Sequence, residues 1–554
     1  MGIRGFQKWI RRTFPDAVQY VPKNSQDFFD YVCIDMNLVI HNVARSSPGR
    51  RQLCDLLSDE LNRILNVCKP RRAVFLAMDG PPPLAKVATV REWREKYFSK
   101  NQYDSASGGD YLLEFTPGTA LMHELANEIE WFICQKLQKF KSRKIQFIFS
   151  SSNVPGEGEV KIQDFLNQCV APNRKNPSVV VIGGDSDSIL MGLCKPQIYN
   201  LFVFLRSGHA GHCVSVGLLG SRIDQLLGEN QRLDFVLLCL LSGNDYLPKL
   251  RGYNFSEAIG KYRQIRNRTK KSVIGGPPLG INWETFCQII DKHDFLVRMA
   301  RASRLSPSVK AHTSWSPHEE HFQDIRVKAH TSLSPRKEDF EDVDGLHEDG
   351  VQDDAVLTGD YDVETYIKGL LWNMQMYIDG YPPDQLFYYR FKYAPPVDAV
   401  LDFFLEKGMY TQVDLPVSNR PAITSQLALT LMLPSAAWSL APGRLQPLVK
   451  SGASISDFVE VRKRVQEIPF STYTGEERTM LRTGVVWRYR KGSEPEPFTR
   501  PPPPMHWECC KALPPGKTNR NPFEVINSPS LRTYSDAREE KTVKLAFGDR
   551  LVRF

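Results

Sequence analysis

The sequence lacks the features that mark membrane proteins, disulfide-rich secreted proteins and zinc proteins. No uninterrupted apolar stretch approaches the roughly 20 residues that a membrane-spanning helix needs. The 11 cysteines are scattered, with only Cys509 and Cys510 adjacent and no CxxC pair. The N-terminus is not a signal peptide, and Gly2 lacks the Ser or Thr at position six that N-myristoylation requires. We therefore expect an intracellular protein with reduced thiols, in the cytoplasm or the nucleus, with the cytoplasm slightly favoured.

The composition favours a large basic protein that binds a polyanion. At 554 residues the chain is long enough for two or three domains. The 71 Lys and Arg residues outnumber the 63 Asp and Glu residues and give a net charge of +8. The surface excess of positive charge is larger still if some of the acids are sequestered in a metal site.

Carboxylates recur where apolar, strand-like runs end. They are Asp35 after VCI, Asp79 after VFLAM, Glu157 and Glu159 in PGEGEVKI, Asp185 and Asp187 in VIGGDSDS, and Asp245 in LLSGNDYLP. Parallel strands of an α/β protein deliver their C-terminal residues to one edge, where ligands bind. A single Asp after a strand is equally well explained as a helix N-cap or a turn residue. The two doublets are more specific, because each can direct two carboxylates at one ion.

A ring of carboxylates is electrostatically unfavourable unless cations neutralise it, because like charges raise one another's pKa. Hard carboxylate oxygens without accompanying Cys or His select Mg²⁺ or Mn²⁺. Enough acids for two ions predict a two-metal phosphodiesterase, with the ions about 4 Å apart on either side of the scissile phosphate. His209, His212 and Cys213 in SGHAGHC lack a suitably spaced fourth ligand, so we interpret them as ordinary residues.

Hydrophobic periodicity predicts an α/β fold. Residues 4–14 have the pattern of an amphipathic helix. Strand-like runs at 30–35, 73–78, 145–150, 178–182 and 200–205 alternate with helical patterns, of which the longest covers 118–140. This alternation predicts a mostly parallel sheet covered by helices on both faces. Further helices are expected from about 220 to 300.

Composition divides the chain into four parts. Residues 1–301 form the core that carries the acids. Residues 302–362 are rich in Ser, Pro, His and acids and contain the repeat VKAHTSWSP and VKAHTSLSP, so we predict a disordered insertion. Residues 363–490 form a second ordered segment that packs on the core. Residues 491–554 are predicted to be a Pro-rich tail that packs on the body or recruits a proline-binding partner, and the repeat insertion is a second candidate partner site.

The motifs resemble those of the XRN-type 5′-to-3′ exoribonucleases, which are related to FEN-type and PIN-like nucleases. The matching segments are MGIRGFQKWIRRTFPDAV, CIDMNLVIHNVAR, AMDGPPPLAK, FTPGTALMHEL, PGEGEVKI, GGDSDSILMGL and LSGNDYLP, with weaker matches in 366–400, 433–442 and 468–481. The resemblance implies a PIN/FEN-like, mostly parallel sheet flanked by helices, with a helical and mixed C-terminal segment that completes the active site. It also implies a short form without the family's long C-terminal extension.

The resemblance implies hydrolysis of single-stranded RNA from a 5′ monophosphate end to mononucleotides, in RNA degradation, including mRNA decay, or RNA processing. Two Mg²⁺ ions, which Mn²⁺ can replace, would be held by the seven acids Asp35, Asp79, Glu157, Glu159, Asp185, Asp187 and Asp245. Because all seven are present, we expect an active enzyme. No membrane partner is expected.

The resemblance also implies a pocket for the 5′ phosphate and a pair of base-stacking residues. The family's pocket uses Lys, Gln and two consecutive Arg on the helix after the DG motif. Here Lys86 and Arg94 match, while Val90 and Trp93 replace the Gln and the first Arg, and Arg91 is a candidate substitute. Ordinary surface cations are the alternative interpretation. His41 matches the family's stacking histidine, and Trp372 is the candidate for the opposing aromatic, although a helical Trp is as often a core residue.

Two other functions share part of this pattern. A structure-specific FEN-type DNA endonuclease has the same acids, but the chain has no recognisable helix-hairpin-helix glycine motif, and the matches within 366–481 disfavour it. A catalytically weak RNA-binding scaffold would suit the repeat and the Pro-rich tail. Release of mononucleotides from 5′-phosphorylated RNA with Mg²⁺ would separate these alternatives.

Overall fold

The structure is a computed structural model that describes residues 3, 5–21, 27–46, 50–100, 113–140, 145–169, 177–184, 186–207, 210–276, 279–305, 361–498, 545–547 and 550–552. In these ranges, no helix is both long enough and apolar enough to cross a membrane.

Strands and helices alternate over the first half of the chain, and helices dominate the second. The strands are β1 (Val18–Val21), β2 (Asp27–Asp35), β3 (Cys68–Ala77), β4 (Gln146–Ser150), β5 (Val179–Gly183), β6 (Leu201–Ser207), β7 (Ala210–Ser215), β8 (Ile274–Gly276), β9 (Gly280–Ile281), β10 (Trp487–Arg490), β11 (Glu496–Pro497), β12 (Leu545–Phe547) and β13 (Arg550–Val552).

The helices fall into a group before residue 306 and a group after residue 360. They are α1 (Phe6–Thr13), α2 (Met36–Ala44), α3 (Arg50–Val67), α4 (Leu84–Lys100), α5 (Ala120–Lys139), α6 (Gly158–Cys169), α7 (Ser186–Leu193), α8 (Val216–Leu227), α9 (Arg232–Leu240), α10 (Phe255–Thr269), α11 (Trp283–Ile290), α12 (Phe295–Leu305), α13 (Val363–Asp379), α14 (Val397–Lys407), α15 (Ser425–Met432), α16 (Gln446–Lys450), α17 (Phe458–Gln466) and α18 (Gly475–Leu481). Short 3₁₀ helices cover Pro15–Ala17, Ser435–Leu440 and Phe470–Thr472.

The main sheet has its parallel strands at the centre. Its order in the described part of the chain is β1-β7-β6-β5-β2-β3-β4-β10-β11. The strands from β6 to β4 in this order run parallel, whereas β1, β7, β10 and β11 add antiparallel edges. The predicted α/β class with a mostly parallel core is therefore confirmed.

Apolar strand residues build a core on each face of this sheet. Successive side chains of a strand point to opposite faces, so strands that are covered on both faces have continuous apolar sequences. On one face Cys33, aligned with Phe75, belongs to the larger cluster, which extends to α1, α9 and α13. On the other face Val32, aligned with Val74, packs with α3 and α5. Both faces are covered, as the sequence pattern predicts.

A separate core forms in the C-terminal helices. This C-terminal cluster consists of buried residues from 423 to 481, with Leu427 and Leu431 of α15 among them. It also includes Leu84 and Val87 of α4. The second segment of the chain thus packs directly on the helix that follows the DGPPP motif.

The predicted division of the chain stays a prediction, with differences at two boundaries. Helix α12 continues to Leu305, past the expected start of the insertion, and residues 306–360 lie outside the described residues. The first residues of the expected tail are ordered, because β11 pairs with β10. Most of the remaining tail lies outside the described residues, as does His209.

Candidate active site

The predicted acids lie at the carboxyl ends of the parallel strands. Asp35 is the last residue of β2, and Asp79 follows the neighbouring β3 by two residues. Glu157 and Glu159 lie at the start of α6 after β4. Asp187 lies in the first turn of α7, after β5 on the other side of β2, while Asp245 follows α9. Asp185 lies outside the described residues. The strand order thus brings the motifs to one edge of the sheet.

Asp35 and Asp79 converge on the second glycine of the GEGE motif. Oδ1 of Asp35 caps α2 by accepting from the backbone N–H of Asn37 at 3.0 Å. Oδ1 of Asp79 accepts from the backbone N–H of Gly158 at 2.7 Å. A Cβ atom at Gly158 would lie 2.8 Å from Oδ1 of Asp35 and 3.3 Å from Oδ1 of Asp79. The missing side chain therefore makes room for two carboxylate oxygens.

Glu157 and Asp245 share the ammonium group of Lys86. The Lys86 Nζ lies 2.5 Å from Oδ2 of Asp245 and 3.4 Å from Oε2 of Glu157. The hydroxyl of Tyr246 donates to the same Glu157 oxygen at 2.6 Å. Lys86, predicted as a ligand of the 5′ phosphate, thus lies among the acids themselves.

Burial and the Lys86 charge act in opposite directions on this group. Burial raises the pKa of Glu157, and the Lys86 charge only partly offsets it. For Asp245 burial acts in the same direction, but the closer, hydrogen-bonded Lys86 lowers its pKa below the ordinary range. Burial disfavours the Lys86 ammonium, yet the charges of Glu157 and Asp245 raise its pKa well above its usual value. One fixed positive charge is thus held among several acids.

The other two described acids differ in exposure. Asp187 is 0% exposed, and the neighbouring Ser186 hydroxyl accepts a hydrogen bond from the backbone N–H of Ile3 at 2.5 Å. Glu159 is half-buried, and its charge acts on Lys86. Within the described ranges, no three Asp, Glu, His or Cys residues lie close enough together to hold one metal ion.

The predicted phosphate-pocket arginines point into the C-terminal helices. Arg91 Nη1 donates to the carbonyl oxygens of Leu431 at 3.2 Å and Leu433 at 2.7 Å. Arg94 Nη1 donates to the carbonyl oxygen of Met432 at 3.0 Å. Both arginines are buried, and burial and the Arg91 charge lower the pKa of Arg94 to about 10. At the two replaced positions, Val90 packs against the C-terminal cluster, whereas Trp93 is 37% exposed.

The two candidate stacking residues occupy different environments. His41 contacts Phe115 edge to face, with the ring centroids 4.9 Å apart, and its charge interacts with Asp79 and Arg94. Burial lowers the pKa of His41, so its imidazole is neutral at pH 7. Trp372 is 1% exposed, and its Nε1 donates to the carbonyl oxygen of Asp384 at 2.8 Å. This position matches the core interpretation of Trp372.

Comparison with known proteins finds similarity to 5'-3' exoribonucleases. Residues 1–207 match the family model described as the XRN 5'-3' exonuclease N-terminus. This part of the chain is therefore similar to the N-terminal region of XRN exonucleases. The 5'-3' exoribonuclease 1 of Schizosaccharomyces pombe is 26% identical over 306 residues, which cover 46% of this chain and 23% of that protein. The 5'-3' exoribonuclease 1 of Homo sapiens is 26% identical over 299 residues, which cover 45% and 17%. The 5'-3' exoribonuclease 2 of Kluyveromyces lactis is 28% identical over 338 residues, which cover 45% and 34%.

The chain matches between 17% and 34% of the length of these similar proteins. Two solved structures of the catalytic core of Rad2 in complex with a DNA substrate match with TM-scores of 0.31. Their sequences are 14% and 12% identical to this chain, and the matches cover 55% and 71% of this chain and 78% and 92% of theirs.

The sequence analysis did not predict several residues that support the candidate site. Asn37 donates to Oδ2 of Asp79 at 2.8 Å and therefore orients the carboxylate of the neighbouring strand. Asn244 accepts from Nδ2 of Asn373 at 3.1 Å and donates to the Tyr377 hydroxyl at 3.1 Å, which ties the GND motif to α13. The sequence offers one hint of this support, because Asn37 in CIDMN follows Asp35 by only two residues. The pairing of Asn244 with Asn373 crosses 129 residues of chain and has no local signature.

Proposed function

We propose that this chain is a 5′-to-3′ exoribonuclease that hydrolyses single-stranded RNA from a 5′ monophosphate end to mononucleotides by two-metal-ion catalysis. The observation that carries the proposal is the convergence of Asp35 and Asp79 on Gly158, in the part of the chain that matches the XRN 5'-3' exonuclease N-terminus. Similar proteins from several organisms are named 5'-3' exoribonucleases. Degradation or processing of cellular RNA, including mRNA decay, is the corresponding biological role.

The donor set suits hard divalent cations. At Gly158 a Cβ atom would be crowded, because carboxylate oxygens of Asp35 and Asp79 approach that point from neighbouring strands. Carboxylates without thiol or imidazole ligands favour Mg²⁺, with Mn²⁺ as a substitute. The residues that would hold the ions are Asp35, Asp79, Glu157, Glu159, Asp185, Asp187 and Asp245. Such ions would supply an activated water and stabilise the charge on the leaving 3′ oxygen.

Residues around the acids bind and orient the RNA in this proposal. Lys86, held among Glu157 and Asp245, supplies positive charge next to the terminal phosphate. Arg94 supplies a second cation on the same helix, close enough to influence the charge of His41. The neutral imidazole of His41 offers a flat surface for a base, and base stacking contributes roughly 1–3 kcal/mol per base. Asn37 and Tyr246 hold Asp79 and Glu157 in place.

The test is release of labelled mononucleotides from a 5′-phosphorylated single-stranded RNA labelled throughout its length. We expect nucleoside monophosphates from the first turnover, in the presence of Mg²⁺ or Mn²⁺, without internal fragments. The same RNA with a 5′ hydroxyl should be degraded more slowly. Chelation of divalent ions should stop the reaction.

Three other outcomes would contradict the proposal in different ways. Internal fragments would indicate an endonuclease, and cleavage of a DNA flap but not of RNA would favour the FEN-type alternative. Tight binding of RNA without cleavage at stoichiometric enzyme, with either metal, would favour a binding scaffold. The matched control is Asp187→Asn, which keeps the size of the buried side chain and removes its charge.

A further inference from the structure

Helix α4 is locked to the C-terminal helices by two buried arginines. The last carbonyl groups of a helix have no partner within the helix, and they form the negative end of its dipole. At the end of α15, the carbonyl oxygens of Leu431, Met432 and Leu433 accept hydrogen bonds from Arg91 and Arg94. Two guanidinium groups on one face of α4 therefore cap the C-terminus of α15.

Arg91 makes more of these contacts than Arg94. Its Nη1 donates to two carbonyl groups, and its Nε donates to Glu95 on the same helix at 2.5 Å. Arg94 uses one nitrogen for the carbonyl oxygen of Met432. Arg91 also lies beside Arg94, so that its charge acts on its neighbour. These contacts occupy two of the three nitrogens of the Arg91 guanidinium inside the protein.

An apolar seam accompanies these polar contacts. Leu84 and Val87 of α4 are 1% and 0% exposed and belong to the same cluster as Leu427 and Leu431 of α15. The backbone N–H of Leu84 donates to the carbonyl oxygen of Gln385 at 3.0 Å. The apolar residues hold the first turns of α4, and the arginines fix the helix further along.

Helix α4 also carries Lys86, which lies between the apolar residues Leu84 and Val87 and precedes both arginines along the helix. Lys86 reaches Asp245 and Glu157 only if the helix keeps its rotation and its position along its axis. A helix held by an apolar seam alone can slide or rotate, whereas directional hydrogen bonds to fixed carbonyl groups oppose such movement.

We propose that Arg91 is a positioning residue for recognition of the RNA 5′ end. By capping α15 it holds α4 so that Lys86 faces the terminal phosphate, and Arg91 does not contact the phosphate itself. This inference rests on the proposed exoribonuclease function. It replaces direct phosphate binding, which the sequence suggested for Arg91, with an indirect role.

The experiment compares Arg91→Met, Arg91→Lys and wild type, with Arg232→Met as the matched control. Met keeps the apolar stem of Arg91 and removes its N–H donors. Lys keeps the positive charge but lacks the planar guanidinium group that can donate to several carbonyl groups at once. Arg232 is similarly buried and pairs with Asp224 of α8 at 2.8 Å, and it is not among the residues of the C-terminal cluster. Two quantities are measured on folded protein: hydrogen exchange of peptides from α4, and kcat/KM for RNA with a 5′ phosphate and with a 5′ hydroxyl.

We expect faster exchange in α4 for Arg91→Met, but not for Arg232→Met. In Arg91→Met the ratio of kcat/KM for 5′-phosphate RNA to kcat/KM for 5′-hydroxyl RNA should fall about tenfold. The reason is that a displaced Lys86 loses its charge-assisted hydrogen bond to the terminal phosphate, and one such bond is strong enough for a change of this size. Arg91→Lys should restore part of the ratio, and Arg232→Met should leave the ratio unchanged even if the protein is less stable.

Two results would overturn the inference. Unchanged exchange in α4 would mean that Arg91 does not hold the helix. Equal losses of kcat/KM on both RNA ends, as a purely structural role would cause, would mean that it does not serve 5′-end recognition. If the wild-type protein degrades neither RNA, the proposed function fails, and the exchange comparison still decides whether Arg91 fixes α4.

Discussion

The backbone N–H of Gly158 donates to Oδ1 of Asp79 at 2.7 Å, which places the start of α6 against the acid that follows β3. The same glycine faces Oδ1 of Asp35, and a Cβ atom there would come within 2.8 Å of that oxygen. Carboxylates from two neighbouring strands are therefore packed against one backbone position. The second glycine of GEGE sets how closely the two carboxylates can approach each other.

Replacing this glycine should disable the site without unfolding the protein. We expect Gly158→Ala to displace Asp35 or Asp79 and to lower kcat by at least about tenfold, because small misplacements of catalytic groups cost large factors in rate. The protein should still fold, with a modestly lower unfolding temperature, because the higher helix propensity of Ala offsets part of the crowding against Asp35 and the Ala77 carbonyl oxygen.

The control for this substitution is Gly260→Ala in α10, where a Cβ atom would meet nothing within 4 Å. It should keep full activity and raise the free energy of unfolding by about 0.5–1 kcal/mol, because Ala is the better helix former. Equal activity of Gly158→Ala and wild type would show that the carboxylate positions around Gly158 do not matter for the reaction.

Neutralising one of the acids should separate RNA binding from hydrolysis. We expect Asp187→Asn and Asp245→Asn to abolish hydrolysis while RNA affinity stays within about threefold of wild type, because binding depends mainly on contacts to the phosphates. Rates are measured at saturating Mg²⁺, and affinity by fluorescence anisotropy. Asp16→Asn, at an exposed ion pair with Arg222, is the control and should retain activity. Normal turnover by either buried variant would contradict the two-metal assignment.

A buried acid away from the site should make stability depend on pH. Asp234 accepts hydrogen bonds from the backbone N–H groups of Val273 and Ile274, and burial raises its pKa from 3.8 to about 6. Because the folded state binds this proton more tightly, the added stability is complete below the ordinary pKa of 3.8. It is lost as pH rises through about 6.

We therefore compare urea unfolding of wild type and Asp234→Asn from pH 4.5 to 7.5. The stability advantage of wild type over the variant should shrink by about 2 kcal/mol across this range, at about 1.36 kcal/mol per pKa unit. Groups that titrate in both proteins cancel in the difference. An advantage that grows with pH would show that the hydrogen bonds to Asp234 favour its charged form more than burial disfavours it.

The sequence predicted the architecture well where local patterns decide it. The apolar runs before Asp35, Asp79 and Asp185 became neighbouring parallel strands, β2, β3 and β5, because such runs need cover on both faces. The helix expected over 118–140 is observed as Ala120–Lys139, and that over 4–14 as Phe6–Thr13. Strand β10 was not predicted, since its pairing with β4 depends on residues more than three hundred positions away.

Side-chain environments were harder to predict than strands. Arg91 and Trp372 have sequence contexts that suit a ligand contact, yet one caps α15 and the other packs in the core. Both side chains donate to distant backbone carbonyl groups, and no residue pattern reveals such acceptors. Lys86 was predicted beside the phosphate, and its position among Glu157 and Asp245 follows from the placement of α4.

The altered residues of α4 should weaken recognition of the 5′ phosphate without abolishing it. Val90 and Trp93 replace residues that would donate hydrogen bonds, so Lys86 and Arg94 remain as the predicted contacts. One lost charge-assisted hydrogen bond contributes about 1.5–3 kcal/mol, which corresponds to roughly tenfold to a hundredfold in discrimination. We therefore expect wild type to prefer 5′-phosphorylated RNA over 5′-hydroxyl RNA only modestly.

Restoring the family pattern should sharpen that preference. In the double variant Val90→Gln with Trp93→Arg, the first position is partly buried against the C-terminal cluster and the second is 37% exposed. Neither substitution removes a donor or an acceptor of the buried contacts that Arg91 and Arg94 make. The rates on both RNA ends are compared for wild type, the double variant and Lys86→Ala. We expect a larger ratio in the double variant and a smaller one in Lys86→Ala. A wild type without preference, combined with no effect of Lys86→Ala, would mean that α4 does not bind the 5′ phosphate.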